Sequence, residues 1–495
     1  MMADLASDLT PSERQQVAAS PLYNEDLAPI GSAARRWKMM DIAHLWVGMS
    51  VCIPTYMLAS GLIAAGMSWW QAILTVALGN LIVLIPMVLN GHAGTKYGIT
   101  FPVFARASFG IHGTHIASVL RGVVACGWFG IQTWIGGSAI YELAKLQWPG
   151  IAESAVIGFF SNAHIQVNVA QFVCFLLFWA INVAIFWRGM ESIRVVENWG
   201  APLLIGLGLA LLAWAYVKAD GFGPMLSQPD SFETAGDFWR VFFPSLTAMV
   251  GFWATLSLNI PDFTREAKSQ RDQMLGQFLG LNTTMPFYAF VGVAVTSATV
   301  VIFGEAIWDP VQLLARFDSA GVLIVSMFAL TLATLTTNLA ANVVAPATAF
   351  SNFMPRAISL RVGGVITGII GILMQPWKLV ADPSGYIFTW LIGYSGLLGP
   401  IGGILVADYF LIRKTKLNLA ALYDPKGEYT YAGGYNPAAL IALVVAILPN
   451  VPGFLTQIGV VQAGAFWAGL YSYAWFTGFL IALAVYVVLM RNKRN

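Results

Sequence analysis

The chain has 495 residues, of which 58% are hydrophobic and only 10% charged, with a net charge of +2. Soluble domains carry about a quarter charged residues, so a soluble enzyme is a poor fit, and so small a net charge gives no footprint for a nucleic-acid partner. Cys52, Cys126 and Cys174 all lie in apolar stretches; they build no disulfide framework, and no CxxC or His/Cys metal spacing occurs.

The opening segment is polar and ends in Arg35, Arg36 and Lys38 just before the first apolar run, so no cleavable signal is expected. Hydropathy then predicts about twelve membrane spans, each near the roughly 20 residues needed to cross a bilayer. They fall near 42–66, 70–90, 114–143, 168–187, 200–218, 238–260, 276–303, 321–346, 361–375, 384–412, 436–450 and 464–490. An inside N-terminus leaves Lys145, Lys218, Arg240, Arg316 and Lys378 on the outer side and Arg121 within a span. Every other basic residue, Arg356, Lys493 and Arg494 among them, is then cytoplasmic. That asymmetry is the positive-inside bias, and it predicts two cytoplasmic termini. The loop 413–435, with Lys414, Lys416, Asp424, Lys426 and Glu428, reads as a solvated connector.

In the first predicted span, LWVGMSVCIPTYMLASG, Pro54 removes a backbone donor and disfavours helical geometry at Ile53. Carbonyls near Gly48 to Val51 then lose their helical partners and can face a cation, although a proline kink is also a common structural device. The third span contains GWFGIQTWIGG, in which Trp128 and Gln132 are four residues apart and share a helix face. An indole and an amide so placed can stack on a planar ring and bond its edge, or simply pack against a neighbouring helix. In the sixth span, PSLTAMVGFWATLSLNIPDF, Gly251 is a small residue at mid-span beside aromatic and polar groups, and Pro261 ends the run. Interruptions five helices apart fit an inverted repeat of five plus five, with two helices added.

The eighth span carries Thr336, Thr337, Asn338 and Asn342, hard neutral oxygens suited to an alkali cation or, alternatively, hydroxyls bonding back to their own helix. No Asp, Glu or Lys lies at the centre of a span. That points away from a carboxylate proton relay and towards an uncharged cargo. His44, His92, His112, His115 and His164 lie near span ends or loops and read as interfacial. A membrane-embedded enzyme or receptor is the remote alternative, and nothing resembles the titratable or metal-binding cluster that such an enzyme carries.

Several motifs in order and spacing resemble the bacterial nucleobase–cation symporter family, whose members carry hydantoins, allantoin, uracil, cytosine or related rings. They are NEDLAP, KYGITFPVFARASFGI, GWFGIQTW, NIPDFTRE, TTNLAAN and GPIGGILVADYFLIRK, and the resemblance runs from about residue 22 to the last span. It implies an all-α membrane protein of the leucine-transporter-type fold. The expected parts are a cytoplasmic segment 1–40, repeats 41–220 and 238–412, a cytoplasmic loop 413–435, two further helices in 436–490 and a tail 491–495.

By the same resemblance, Trp128 and Trp253 sandwich the ring, and Gln132 and Asn342 read its amide edges. Sodium lies between the first and eighth helices, held by the carbonyls of Gly48, Val51 and Ala333 and the hydroxyls of Thr336 and Thr337. Leu391 falls where the hydantoin carrier keeps a bulky gate. The family also includes proton-coupled members, and a vitamin-type cargo such as thiamine is a further alternative. One position departs: where the hydantoin and allantoin carriers have an amide side chain, this chain has Cys52, a far weaker hydrogen-bonding group. The expectation is a sodium symporter working as a monomer in the bilayer of a bacterial plasma membrane, without an enzymatic cofactor.

Overall fold

The computed structural model describes residues 9–162, 165–188, 190–354 and 357–491; His164, Arg356, Lys493 and Arg494 lie outside the described residues. Among these, nine helices are long and apolar enough to cross a membrane, and a bent pair makes a tenth. The bent pair is span one, Met39–Ser50 followed by Ile53–Ala64, which turns by 60° at the join. The other two expected spans are present as Ala235–Phe252 continued by Ala254–Asn259, span six, and the 14-residue Leu360–Leu373, span nine. In order, spans two to five are Trp69–Tyr97, Thr114–Gln147, Val169–Arg188 and Gly200–Lys218. Spans seven, eight and ten to twelve are Gln270–Phe303, Ala320–Asn338, Ser384–Ile412, Pro437–Gln457 and Ala474–Arg491.

The breaks are local and have sequence causes. In span one, Val51 (φ −84°, ψ 86°) and Cys52 (φ −147°, ψ 156°) leave the helix. Ile53, expected to be the non-helical residue, instead begins the next helix. Pro54 sits in that helix's first turn, where its missing N–H costs nothing, so the break moves two residues earlier. In span six the helix breaks at Trp253 (φ −99°, ψ 3°), not at Gly251. Gly251 is a packing position: a Cβ built there would stand 2.1 Å from Ser395 Oγ and 2.9 Å from the Leu391 carbonyl oxygen. Span eight continues after Asn338 into a π-helical stretch, Leu339–Val343, and then Val344–Phe353. Such stretches shift the register of a helix and frequently mark sites.

Span seven packs along spans one and two, span eight along spans three and five, and span twelve along spans ten and eleven. A short helix missed in the sequence, Phe101–Phe109, lies buried between spans two and three. The loop 413–435 is not a solvated connector. Leu422, Tyr423 and Tyr429 are fully buried, and Tyr423 donates its hydroxyl to the Leu27 carbonyl at 2.6 Å. The lysines of the loop face water while its aromatic residues fill the space beneath the N-terminal segment, so charge content alone misled.

Candidate substrate chamber and cation shell

The breaks of spans one and six meet spans three and eight around a narrow chamber of about 40 Å³. Its wall includes Cys52, Trp128, Gln132, Trp253, Thr337 and Asn342, six of the residues singled out from the sequence, together with Arg121 and Phe252. Trp128 and Trp253 are brought to one chamber, but Phe252 packs edge-on to both, at ring separations of 5.2 Å and 4.9 Å. Trp253 is held from behind by Trp46, 5.1 Å away and near perpendicular, and its Nε1 donates to Asn80 Oδ1 at 3.2 Å.

The amides are oriented by a buried network. Asn338 donates to the Phe129 carbonyl, Thr133 Oγ1 and Asn182 Oδ1 at 3.2–3.3 Å. Its own Oδ1 then accepts from Asn342 Nδ2 at 3.1 Å. That anchors Asn342 and leaves its carbonyl and second N–H for a ligand. Gln132 Oε1 is buried without a protein partner, which is costly unless something bonds it. Cys52 Sγ lies 3.2 Å from Thr55 Oγ1.

A wider cavity of about 650 Å³ adjoins the chamber, sharing Met49, Thr337 and Ala341 with it, and opens beside Asp26 and Trp37 of the N-terminal segment. Gly48, Thr336 and Thr337 line this vestibule; Val51 and Ala333 are in the wall of neither cavity. The backbone at the break is nonetheless informative. Cys52 N–H donates to Ser50 rather than to Gly48, and Thr55 N–H to Cys52 rather than to Val51. The carbonyls of Gly48 and Val51 therefore lose their helical donors. Across the gap, Thr336 and Thr337 both donate to the Ala333 carbonyl, at 2.7 Å and 3.1 Å. This is the back-bonding alternative, and it is compatible with cation binding, because it spends the hydroxyl protons and leaves oxygen lone pairs. A Cβ built at Gly200 would fall 1.8 Å from Thr336 Oγ1, so span five presses directly on this hydroxyl.

Leu391 is fully buried but does not line the chamber; its carbonyl accepts from Ser395 Oγ at 2.6 Å. The neighbouring Trp390 meets Trp128 at 6.1 Å instead. Tyr386, Trp390 and Tyr394, four residues apart along span ten, all touch the Trp128 ring. Tyr386 donates to the Pro54 carbonyl at 3.1 Å and Tyr394 to the Gly251 carbonyl at 2.8 Å, tying span ten to both broken helices. This regular aromatic spacing was available in the sequence. Arg121, seven residues before Trp128 and so on the same helix face, reads in the sequence only as a charge within a span, and the fold makes it part of the chamber wall. Its Nη2 donates to Asn259 Oδ1 at 2.9 Å, and Asn259 Nδ2 donates to Asp262 at 3.3 Å.

Residues 29–478 match the family described as permeases for cytosine/purines, uracil, thiamine and allantoin. The chain is 48% identical over 472 residues to the purine-uracil permease NCS1 of Arabidopsis thaliana, covering 95% of this chain and 78% of that one. It is 41% identical over 480 residues to the allantoin permease of Bacillus subtilis, covering 97% and 95%. Among solved structures, the inward-facing conformation of Mhp1 superposes with a TM-score of 0.77 at 27% identity, over 96% of this chain and 95% of that one. Mhp1 closed around bromovinylhydantoin gives 0.74 at 26%, over 95% of each chain. With the two discontinuous helices facing each other across a chamber, these likenesses establish the leucine-transporter-type architecture and a transporter, not an enzyme. The chain belongs to the nucleobase–cation symporter family of multi-pass membrane permeases.

Proposed function

We propose that this permease imports a neutral, planar cyclic amide, such as a hydantoin, a pyrimidine like uracil or an allantoin-type ureide, by sodium symport with alternating access. The observation that carries the reading is the convergence of Trp128, Gln132, Trp253 and Asn342 on one chamber wall. Indole faces stack on a flat ring, and anchored amides exchange paired hydrogen bonds with its edge. Thr337 belongs to this wall and also to that of the vestibule lined by Gly48 and Thr336. A cation bridging spans one and eight there would hold the break of span one, and with it Cys52, against the chamber. Ion and ring must then each raise the other's affinity, since binding linkage is reciprocal.

The chamber is narrow and the vestibule wide, which suits a state open on the side of the N-terminal segment. Entry of a ring would require Phe252 to withdraw from the two indoles. The proposed setting is a bacterial plasma membrane with both termini cytoplasmic, and a monomer as the working unit. Proton coupling is the second reading; Asp262, in the vestibule wall and linked through Asn259 to Arg121, favours it. A thiamine-type cation is disfavoured by the guanidinium of Arg121 in the chamber wall.

The test is thermal stabilisation of purified protein by hydantoin, allantoin, uracil, cytosine and thymine, each in sodium and in choline. A ligand that binds only the native state raises apparent stability. A shift with one ring, larger in sodium, is the expected result. A shift indifferent to sodium moves the coupling to protons, and no shift with any ring in folded protein overturns the substrate class.

A further inference from the structure

On a different face, a cavity of about 1280 Å³ opens between span five, the end of span seven and the start of span eight. It exceeds the roughly 300–1,000 Å³ of small-molecule pockets, and its walls are helices apolar enough to lie in a membrane. Small residues hollow it out: a Cβ built at Gly206 meets nothing within 4 Å. From Pro202 to Lys218, both in its wall, span five rises about 24 Å at 1.5 Å per residue. The described span, Gly200–Lys218, is 19 residues long, about the length that crosses the hydrocarbon core, so Lys218 at its end reaches headgroup depth. There Trp214 packs on Phe317 at 4.7 Å, an indole at the level where membrane proteins concentrate them.

The rim is charged in both signs. Lys218 and Arg316 supply cations and Asp318 a carboxylate, all three exposed and all in the wall of the cavity. Arg316 is also paired with Glu305 at 2.5 Å. We infer that this groove is a binding site for a phospholipid whose headgroup carries both a phosphate and a primary ammonium, as phosphatidylethanolamine does. The acyl chains fill the apolar groove, the phosphate meets Lys218 and Arg316, and the ammonium donates to Asp318. A headgroup with only negative charge offers nothing to Asp318, and a choline headgroup has no N–H to give it. The lipid sits between spans five and eight, the pair that meets at Gly200 and Thr336. An effect on the cation shell rests on the proposed function; the lipid site does not.

The experiment is native mass spectrometry of the full-length protein, titrated in detergent with phosphatidylethanolamine, phosphatidylglycerol or phosphatidylcholine. Phosphatidylethanolamine is expected to be retained at roughly tenfold lower concentration than the other two, the effect of one to two charge-assisted bonds. Gly206→Phe is expected to abolish retention, and Ala210→Phe, at a second position in the same wall, guards against a folding defect in the first variant. Asp318→Asn is expected to erase the preference over phosphatidylglycerol while chain binding persists. Equal retention of the three lipids, tighter binding of phosphatidylglycerol, or undiminished retention in both groove-filling variants overturns the inference.

Discussion

Arg121 donates to Asn259 across 2.9 Å, and this bond joins the wall of the chamber to the wall of the vestibule, because Arg121 lines the first and Asn259 the second. Both side chains are buried. Asn259→Ala therefore strips a partner from a buried guanidinium, and hydrogen bonds to charged groups contribute about 1.5–3 kcal/mol. A loss of stability of that size, read as a lowered melting temperature without ligand, is expected together with impaired uptake. Arg121→Lys, which keeps a cation and most of the reach towards Asn259, is expected to recover stability more than uptake. Equal losses of both in the two variants would mean that the pair only supports the fold.

Trp128 is the second test. Its ring is ringed by Phe252, Tyr386, Trp390 and Tyr394, yet it faces the chamber. Stacking of a base on an aromatic side chain contributes about 1–3 kcal/mol. Trp128→Ala is expected to weaken ring binding about 5- to 150-fold, read from ligand-induced thermal shifts, while the membrane-embedded fold survives. Unchanged affinity in that variant would remove the stacking model.

Much of this site was legible because its parts are local. Trp128 and Gln132 share a face through their four-residue spacing, and the break of span one announces itself in Pro54. What escaped depends on distant partners. Arg121 acquires meaning only from Asn259, 138 residues away. Leu391 and Trp390 differ by one step along the π-helical stretch Ser384–Leu391, which turns the side chain to another face, so a shift of one position exchanges a residue that meets Trp128 for one that packs elsewhere. The loop 413–435 was misjudged because its charges are spread along the sequence while its tyrosines gather only in the folded chain.

The cation shell can be probed from outside both cavities. Gly200 is absent from the walls of the chamber and the vestibule, but its Cβ would overlap Thr336 Oγ1 at 1.8 Å. Gly200→Ala must push that hydroxyl or span five aside. If Thr336 holds sodium, the concentration of sodium giving half-maximal uptake rises at least severalfold, while ring affinity at saturating sodium is preserved. Thr336→Val, which keeps the shape and deletes the oxygen, should reproduce the effect. A normal sodium dependence in both variants would leave the hydroxyl with a helix-bonding role alone.

Cys52 offers the sharpest test of specificity. It is buried, extended and in the chamber wall, at a position where the family resemblance leads one to expect an amide. A thiol is a weak donor and weaker acceptor, so the ring edge it faces gains little there. Cys52→Asn supplies a donor and an acceptor, and one added hydrogen bond contributes about 0.5–1.5 kcal/mol. The expected outcome is a gain of up to about tenfold for hydantoin or allantoin relative to uracil, measured as competing thermal shifts on one preparation. Cys52→Ala should leave the order of ligands as it is. If Cys52→Asn also leaves the order unchanged, the edge is read elsewhere, and Gln132, with its unpaired buried oxygen, becomes the residue to vary next.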